Sequence, residues 1–364
     1  MARSNGDAIM TSLPSAEDCL LAIESTCDET AAAVITRSGS VLGECVATQE
    51  TLHEQFAGVV PEIAARAHLE RILPVIDTAI EQAKITMDRL VAVAVATHPG
   101  LPGSLLVGLS AAKALALAWS KPLVGINHVQ AHIYACGMGH GSSIYPCIGF
   151  VVSGGHTSLY HCHTATDWDY LGGTIDDAAG EAFDKVAVML GLPFPGGPQL
   201  SAIASKGNPR AIPFPRPLLD DQTRLDFSFS GLKTAVRYQI AGTGQKDWSS
   251  VEISYQKKID IAAAFQQAVI DCLVGKALLA VKKTGLKRIC LGGGVAANRR
   301  LREQLQNACD AKGTELLIAA PELCTDNAVM GALAWEKIER GEYDSLELDA
   351  QPGLLRPALG GKGR

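Results

Sequence analysis

Aromatic residues make up only 5% of this 364-residue chain, and the 47% that is hydrophobic is carried by Ala, Val, Leu and Ile. That scarcity argues against an all-β sandwich and suits α/β proteins, in which strands buried on both faces alternate with Ala-rich helices. No C-x-x-C pair occurs among the ten cysteines (Cys19, Cys27, Cys45, Cys136, Cys147, Cys162, Cys272, Cys290, Cys309, Cys324). Their scatter removes a disulfide framework and leaves reduced thiols in a cytoplasmic setting as the expectation. The longest apolar stretch, Ser104 to Trp119, is broken by Lys113 and falls short of the roughly 20 residues of a membrane span, so no membrane partner is expected. Residues 1–18 lack the apolar core of a secretory signal and read as a disordered lead. Basic charge is short as well: 32 Lys and Arg stand against 38 Asp and Glu, a net charge of −6. A nucleic-acid partner would therefore need a local basic patch or a helper protein.

What is present is a pattern that occurs twice. Cys19 to Glu24, the polar turn STCDET and Ala31 to Thr36 read as a hairpin; so do Cys147 to Ser153, the turn GGHT and Ser158 to Cys162. In the first half, helix Pro61–Ala83, strand Leu90–Ala96 and helix Ser104–Ser120 follow. In the second come strand Trp168–Leu171, helix Asp176–Leu190, helix Ile259–Lys283, strand Arg288–Leu291, helix Ala297–Lys312, strand Glu315–Ala319 and helix Asp326–Arg340. Each half is a hairpin extended by alternating strands and helices, which makes a mixed sheet. We place the boundary at Lys121–Asn127, giving lobes 19–125 and 126–345 and a tail 346–364, with ligands expected in a cleft between the lobes.

Several segments carry chemistry. His128 and His132 stand four apart in NHVQAH, so a helix there presents both imidazoles on one face. Two solvated or core histidines would look the same, and the residue after His128 is Val129, so the carboxylate of a metalloprotease HExxH is absent. Thr325 or Asp326 could complete a metal set, although at a helix start Asp326 is equally suited to capping. Two neutral nitrogens and one hard oxygen would fit Fe²⁺ or Zn²⁺. The glycine turns SGGHT (Ser153 to Thr157) and LGGGVAAN (Leu291 to Asn298) are weak phosphate signals singly, yet together they describe a split nucleotide site. IDDAAGEAFDK places Asp176, Asp177, Glu181 and Asp184 on one expected helix, where a solvated acidic face is the plain reading and a ribose contact the sharper one. Lys282, Lys283, Lys287, Arg288, Arg299, Arg300 and Arg302 cluster in sequence and could meet RNA phosphates.

Taken together, IESTCDETAAAV, GVVPEIAARAH, NHVQAH, VVSGGHTSL, IDDAAGEAFDK, PGGPQLS, FSFSGLKTAV, LGGGVAANRRLR and CTDNAVMGA resemble the tRNA N6-adenosine threonylcarbamoyltransferase family (TsaD), spanning residues 20 to about 340 in order. The resemblance implies an α/β fold of two duplicated RNase H-like lobes, as in actin, Hsp70 and sugar kinases. It implies transfer of a threonylcarbamoyl group from threonylcarbamoyl-AMP to N6 of the adenosine 3′ of the anticodon in tRNAs reading ANN codons, with release of AMP. By motif, His128, His132 and Asp326 resemble the ligands of one Fe²⁺ per subunit, or Zn²⁺. Val151, Val152, Ser153, Gly154, Gly155, Asp184, Gly197 and Asn298 resemble the adenylate-binding positions. Asp28 or Glu29 is the candidate to orient the attacking amine or accept its proton, with a bonded hairpin turn as the simpler role. The implied partners are a degenerate paralogue of the same fold (TsaB), a small P-loop ATPase (TsaE) and the synthase that makes the adenylate. A sugar or acetate kinase of the same fold is the alternative. The chain departs from the family pattern at Gln130, where Glu is common, and at EST, where ETS is common.

Overall fold

The computed structural model describes residues 14–56, 58–242 and 251–353. Among these, contacts divide the chain into a first unit of residues 14–52, 59–141 and 325–353 and a second that contains 142–324.

In the first unit, β1 (Cys19–Glu24), β2 (Glu29–Thr36) and β3 (Val41–Thr48) form an antiparallel meander. After the one-turn α1 (Glu50–His53) come α2 (Pro61–Ala83), β4 (Leu90–His98), α3 (Pro102–Trp119), β5 (Leu123–Asn127) and α4 (His128–Tyr134). The sheet order is β3-β2-β1-β4-β5, with β4 parallel to β1 and β5 parallel to β4. β1 is buried along its whole length, and Leu21, Ile23, Val34, Val93 and Val95 pack with Ile72, Val75 and Ile76 of α2 and Val107, Leu109 and Ala112 of α3. β3 lies at the sheet edge with alternating exposure, so it carries no apolar run in sequence and the expected element list lacks it.

The second unit repeats this plan. β6 (Cys147–Val152), β7 (Thr157–Cys162) and β8 (Trp168–Gly173) form a meander, followed by α5 (Ala179–Met189), α6 (Gly196–Ala204), α7 (Ser230–Ala241), α8 (Tyr255–Thr284), β9 (Arg288–Gly292), α9 (Arg299–Asp310) and β10 (Glu315–Ile318). The order is β10-β9-β6-β7-β8, with β9 parallel to β6 and β10 parallel to β9. Strand for strand the two sheets have one topology, the duplication expected from the hairpins. The chain then returns to the first unit through a 3-10 turn, Val329–Leu333, and α10 (Ala334–Ile338).

Four local expectations change. Lys121–Asn127 is not a linker: β5 is a buried strand paired with β4, so the first unit runs on to Gly141, and residues 325–345 belong to it as well. α5 and α9 begin at Ala179 and Arg299, which leaves Asp176, Asp177 and Asn298 outside the helices, and Asp326 precedes a 3-10 turn rather than a long helix. Part of the expected tail is structured, since Leu348 and Ala350 pack on the first core and Gln351 N–H donates to Thr97 O at 2.9 Å. Of the expected disordered lead, residues 1–13 lie outside the described residues, while Pro14 to Asp18 form a turn whose Pro14 carbonyl accepts from Arg37. α3 and α8 are long and apolar enough to cross a membrane, yet 67% of the α8 window is buried inside the fold and α3 packs on β4 and α2. None of the ten cysteines forms a disulfide.

Candidate functional site

The loop joining β1 to β2, Ser25 to Asp28, is held from several sides. Ser25 Oγ donates to Ser104 O at 2.9 Å, Leu101 N–H donates to Thr26 O at 2.8 Å, and Thr26 N–H donates to Glu24 Oε1 at 2.7 Å. His68, fully buried on α2, donates from Nε2 to the Cys27 carbonyl at 3.0 Å and accepts at Nδ1 from the Thr30 hydroxyl at 2.7 Å. Burial holds His68 below the usual histidine pKa, which suits the neutral ring that this pair of bonds requires. α3 can approach the loop because residue 108 is Gly: a Cβ there would stand 2.2 Å from Ser25 Oγ.

α4 starts where Asn127 Oδ1 accepts from the N–H groups of Val129 and Gln130 at 2.8 and 3.1 Å. One helical turn then sets the His128 and His132 rings edge to face, with centroids 4.6 Å apart and both residues buried. Asp326 Oδ1 lies 3.1 Å from His132 Nε2 and 3.4 Å from His128 Nε2. The capping role weighed for Asp326 falls to its neighbour: Asn327 Oδ1 accepts from Met330 N–H at 3.1 Å. Burial would neutralise Asp326 and His128, but their mutual attraction, with Glu24 also acting on His128, holds the carboxyl well below and the imidazole well above their usual values.

These three groups fit a divalent cation. Two ligand atoms about 2.0–2.1 Å from a tetrahedral ion stand about 3.3 Å apart, close to the two separations here. His132 Nδ1 is buried with no hydrogen-bond partner, so the ring's polar work is done by Nε2, the atom facing Asp326. Among the described residues, His161, His163 and Asp169 form a second group of this composition, but His163 and Asp169 are exposed and form an ion pair at 2.8 Å. Glu29 lies at the start of β2, and burial, with the charges of Asp28 and Asp326, pushes its carboxyl up to about 10.

In the second unit the two glycine turns meet. β6 and β9 are parallel neighbours, so Val152 and Gly292 end at the same side of the sheet. Gly293 has φ +93°, and a Cβ there would stand 2.5 Å from Val152 O. The SGGHT turn closes through Ser153 N–H to His156 O (2.7 Å), and Gly180 N–H donates to Ser153 O at 3.2 Å, seating the start of α5 on the turn. Asp184 Oδ1 accepts from Gly196 and Gly197 N–H at 2.9 and 3.0 Å. Asn298 Nδ2 donates to Ser201 Oγ and Gln266 Oε1 at 2.9 and 3.0 Å, while its Oδ1 caps α9 at Leu301 N–H. Asn298, Ser201 and Gln266 line a cavity of about 540 Å³ with Pro198 and Arg299. Asp184 is thus bonded to Gly197 at the start of α6, Asn298 to Ser201 of the same helix, and the turn after Val152 is packed against Gly293 and the start of α5.

The acidic block is bonded as well as solvent-accessible. Asp176 accepts from the Ser228 and Ser230 hydroxyls and Phe229 N–H, and Asp177 pairs with Lys185 and Lys233 at 2.7 and 2.8 Å. Burial would raise both carboxyls; these bonds outweigh it and hold both below the usual aspartate value. Three members of the basic run have local partners: Arg288 pairs with Glu315, Arg299 with Glu303, and Arg302 turns onto the Ala296 and Ala319 carbonyls. Glu24, Thr26 and His68 are contacts the sequence reading did not single out; the only signal for Glu24 was an acidic residue ending an apolar strand.

Comparison with known proteins identifies the family. Residues 40–333 match the family model described as TsaD, tRNA N6-adenosine threonylcarbamoyltransferase. A protein of that name from Rhodopirellula baltica is 62% identical over 352 residues, covering 94% of this chain and 98% of its own length. Another from Symbiobacterium thermophilum is 48% identical, covering 93% and 97%. The solved structure of full-length HypF in its phosphate- and nucleotide-bound form superposes with a TM-score of 0.59 at 15% identity, covering 91% of this chain and 48% of that one, a likeness of fold. The chain belongs to the tRNA N6-adenosine threonylcarbamoyltransferase family.

Proposed function

We propose that the chain forms N6-threonylcarbamoyladenosine in tRNAs reading ANN codons with a cation held by His128, His132 and Asp326, Fe²⁺ in the first place and Zn²⁺ as the other fit, one per subunit. The observation that carries the metal reading is the triad itself, two buried imidazoles with their Nε2 atoms turned to one oxygen of the half-buried Asp326. When bound, the cation supplies Lewis-acid polarisation of donor oxygens. A small-molecule kinase of the same fold gives this triad no role, and the family relationship does not favour it.

The other residues divide the remaining work. The Ser153–Gly155 turn, with Val151 and Val152 leading into it, lets backbone N–H groups approach the adenylate phosphate. Asp184 accepts from ribose hydroxyls, Gly197 allows close backbone approach, and Asn298, whose amide N–H groups are held by Ser201 and Gln266, offers the remaining lone pair of Oδ1 to the nucleoside. N6 of the adenosine attacks the carbonyl carbon, the bond from that carbon to the phosphate oxygen breaks, and AMP leaves with the electron pair. Asp28 takes the proton lost from N6, while Glu29, protonated at neutral pH, donates a hydrogen bond.

Ten cysteines with no disulfide among them support a reducing, cytoplasmic compartment. The net charge of −6 and the local pairing of Arg288 and Arg299 support help from partners in holding tRNA: the degenerate paralogue, the small P-loop ATPase and the upstream adenylate synthase. Equilibrium dialysis with a non-hydrolysable threonylcarbamoyl-AMP analogue tests the donor assignment. Wild type should bind and Asn298→Ala should bind at least about tenfold more weakly, a loss of one hydrogen bond or more; equal binding would remove Asn298 from the donor site.

A further inference from the structure

The two nitrogens of His128 have different surroundings. Nε2 looks toward Asp326, whereas Nδ1 lies 3.1 Å from Glu24 Oε2 and 3.2 Å from Thr26 Oγ1. Glu24 ends β1, is 2% exposed, and is fixed in turn because Oε1 accepts from Thr26 N–H. A carboxylate can only accept, so the Nδ1 position carries a proton for Glu24, and Nε2, which shares a proton with Asp326 only while no cation is bound, is the nitrogen that gives its proton up to a cation. His132 has no such device: its Nδ1 is buried without a partner.

We propose that Glu24 is a positioning residue for the metal centre, fixing His128 in the tautomer whose Nε2 is the ligand atom and making that nitrogen a stronger donor. The inference rests on the metal reading above. It makes the two histidines unequal: His128 is preset before the cation arrives, and His132 is set by the cation and Asp326. Carboxylate–histidine–metal chains work this way elsewhere, and loss of the outer carboxylate typically weakens the metal by roughly 10- to 100-fold. Glu24→Gln keeps the shape but offers one acceptor for two N–H donors. Either the Thr26 N–H goes unpaired, or the amide NH₂ meets Nδ1 and moves the ring proton to Nε2, the face that must bind metal.

The test titrates the metal-free full chain with Zn²⁺ by calorimetry, for wild type, Asp326→Ala and Glu24→Gln, with a melting curve for each. Glu24→Gln should bind roughly 10- to 100-fold more weakly than wild type while remaining folded. If wild type and Asp326→Ala bind Zn²⁺ equally, the metal reading itself falls. If Asp326→Ala loses binding and a folded Glu24→Gln stays within twofold of wild type, the metal reading stands and the role of Glu24 is overturned. Should Glu24→Gln not fold, ¹⁵N imidazole spectra of the zinc-loaded wild type decide: Nδ1–H with metal on Nε2 of His128 upholds the inference, and metal on Nδ1 overturns it.

Discussion

Gly293 stands against the carbonyl of Val152 so closely that a Cβ on it would lie 2.5 Å from that oxygen. Its backbone, at φ +93° and ψ 159°, is in a region open essentially to glycine alone. Both features follow from two parallel strands ending side by side, β6 turning back into β7 and β9 turning into α9 within a few residues. Gly293→Ala should therefore destabilise the second unit by about 1–3 kcal/mol and weaken adenylate binding. Thermal melting and donor dialysis check this; a variant with wild-type values in both would show that the turns do not need their close approach.

Asp326 and Asn327 are neighbours with separate duties, so their alanine variants should separate. Asn327→Ala removes the acceptor for Met330 N–H and should cost about 1 kcal/mol of stability. Asp326→Ala removes the only oxygen of the triad and should abolish stoichiometric metal in an elemental analysis, with a larger loss of transfer than of stability. Prolonged chelation of wild type should reproduce the Asp326→Ala activity, and added Fe²⁺ or Zn²⁺ should restore only wild type.

The bonded carboxylates Asp176 and Asp177 make a pH prediction. Each is held below the unfolded aspartate value of about 3.9, so each contributes stability that is fully present above that value and lost as pH falls through its lower folded value. The melting-temperature gap between wild type and Asp176→Asn or Asp177→Asn should be widest near neutral pH and close below about pH 4. A gap that grew with acid would contradict the assigned bonds.

His68 reaches the Asp28 loop only through Cys27 and Thr30. His68→Ala leaves the Thr30 hydroxyl without its partner and should cost at least about 1–3 kcal/mol, the penalty for a buried unsatisfied group. Transfer should fall while metal content stays, which elemental analysis beside a single-turnover assay would show.

Much of this was readable in advance, for physical reasons. Helical spacing brought His128 and His132 onto one face, and paired hairpins gave the duplicated sheet. β3 escaped notice because an edge strand needs no continuous apolar run, and β5 because Pro122 and Gly125 imitate a linker. The return of residues 325–353 to the first unit is a long-range association that no local pattern encodes. Glu24 looked like the polar end of a buried strand, and Asp176 and Asp177 like surface charge. Their partners, His128, Ser228, Ser230, Lys185 and Lys233, are supplied by other elements, and Asp326 is separated from His132 by 194 positions.

The most direct test of the account is single-turnover transfer of radiolabelled threonylcarbamoyl from preformed adenylate to an ANN-decoding tRNA transcript, with partner proteins and Fe²⁺ or Zn²⁺ present, for wild type and His132→Ala. Label should appear on the tRNA with wild type and fall to background with His132→Ala. Equal labelling by both would contradict a catalytic metal at His128, His132 and Asp326, and no labelling by wild type would contradict the proposed reaction.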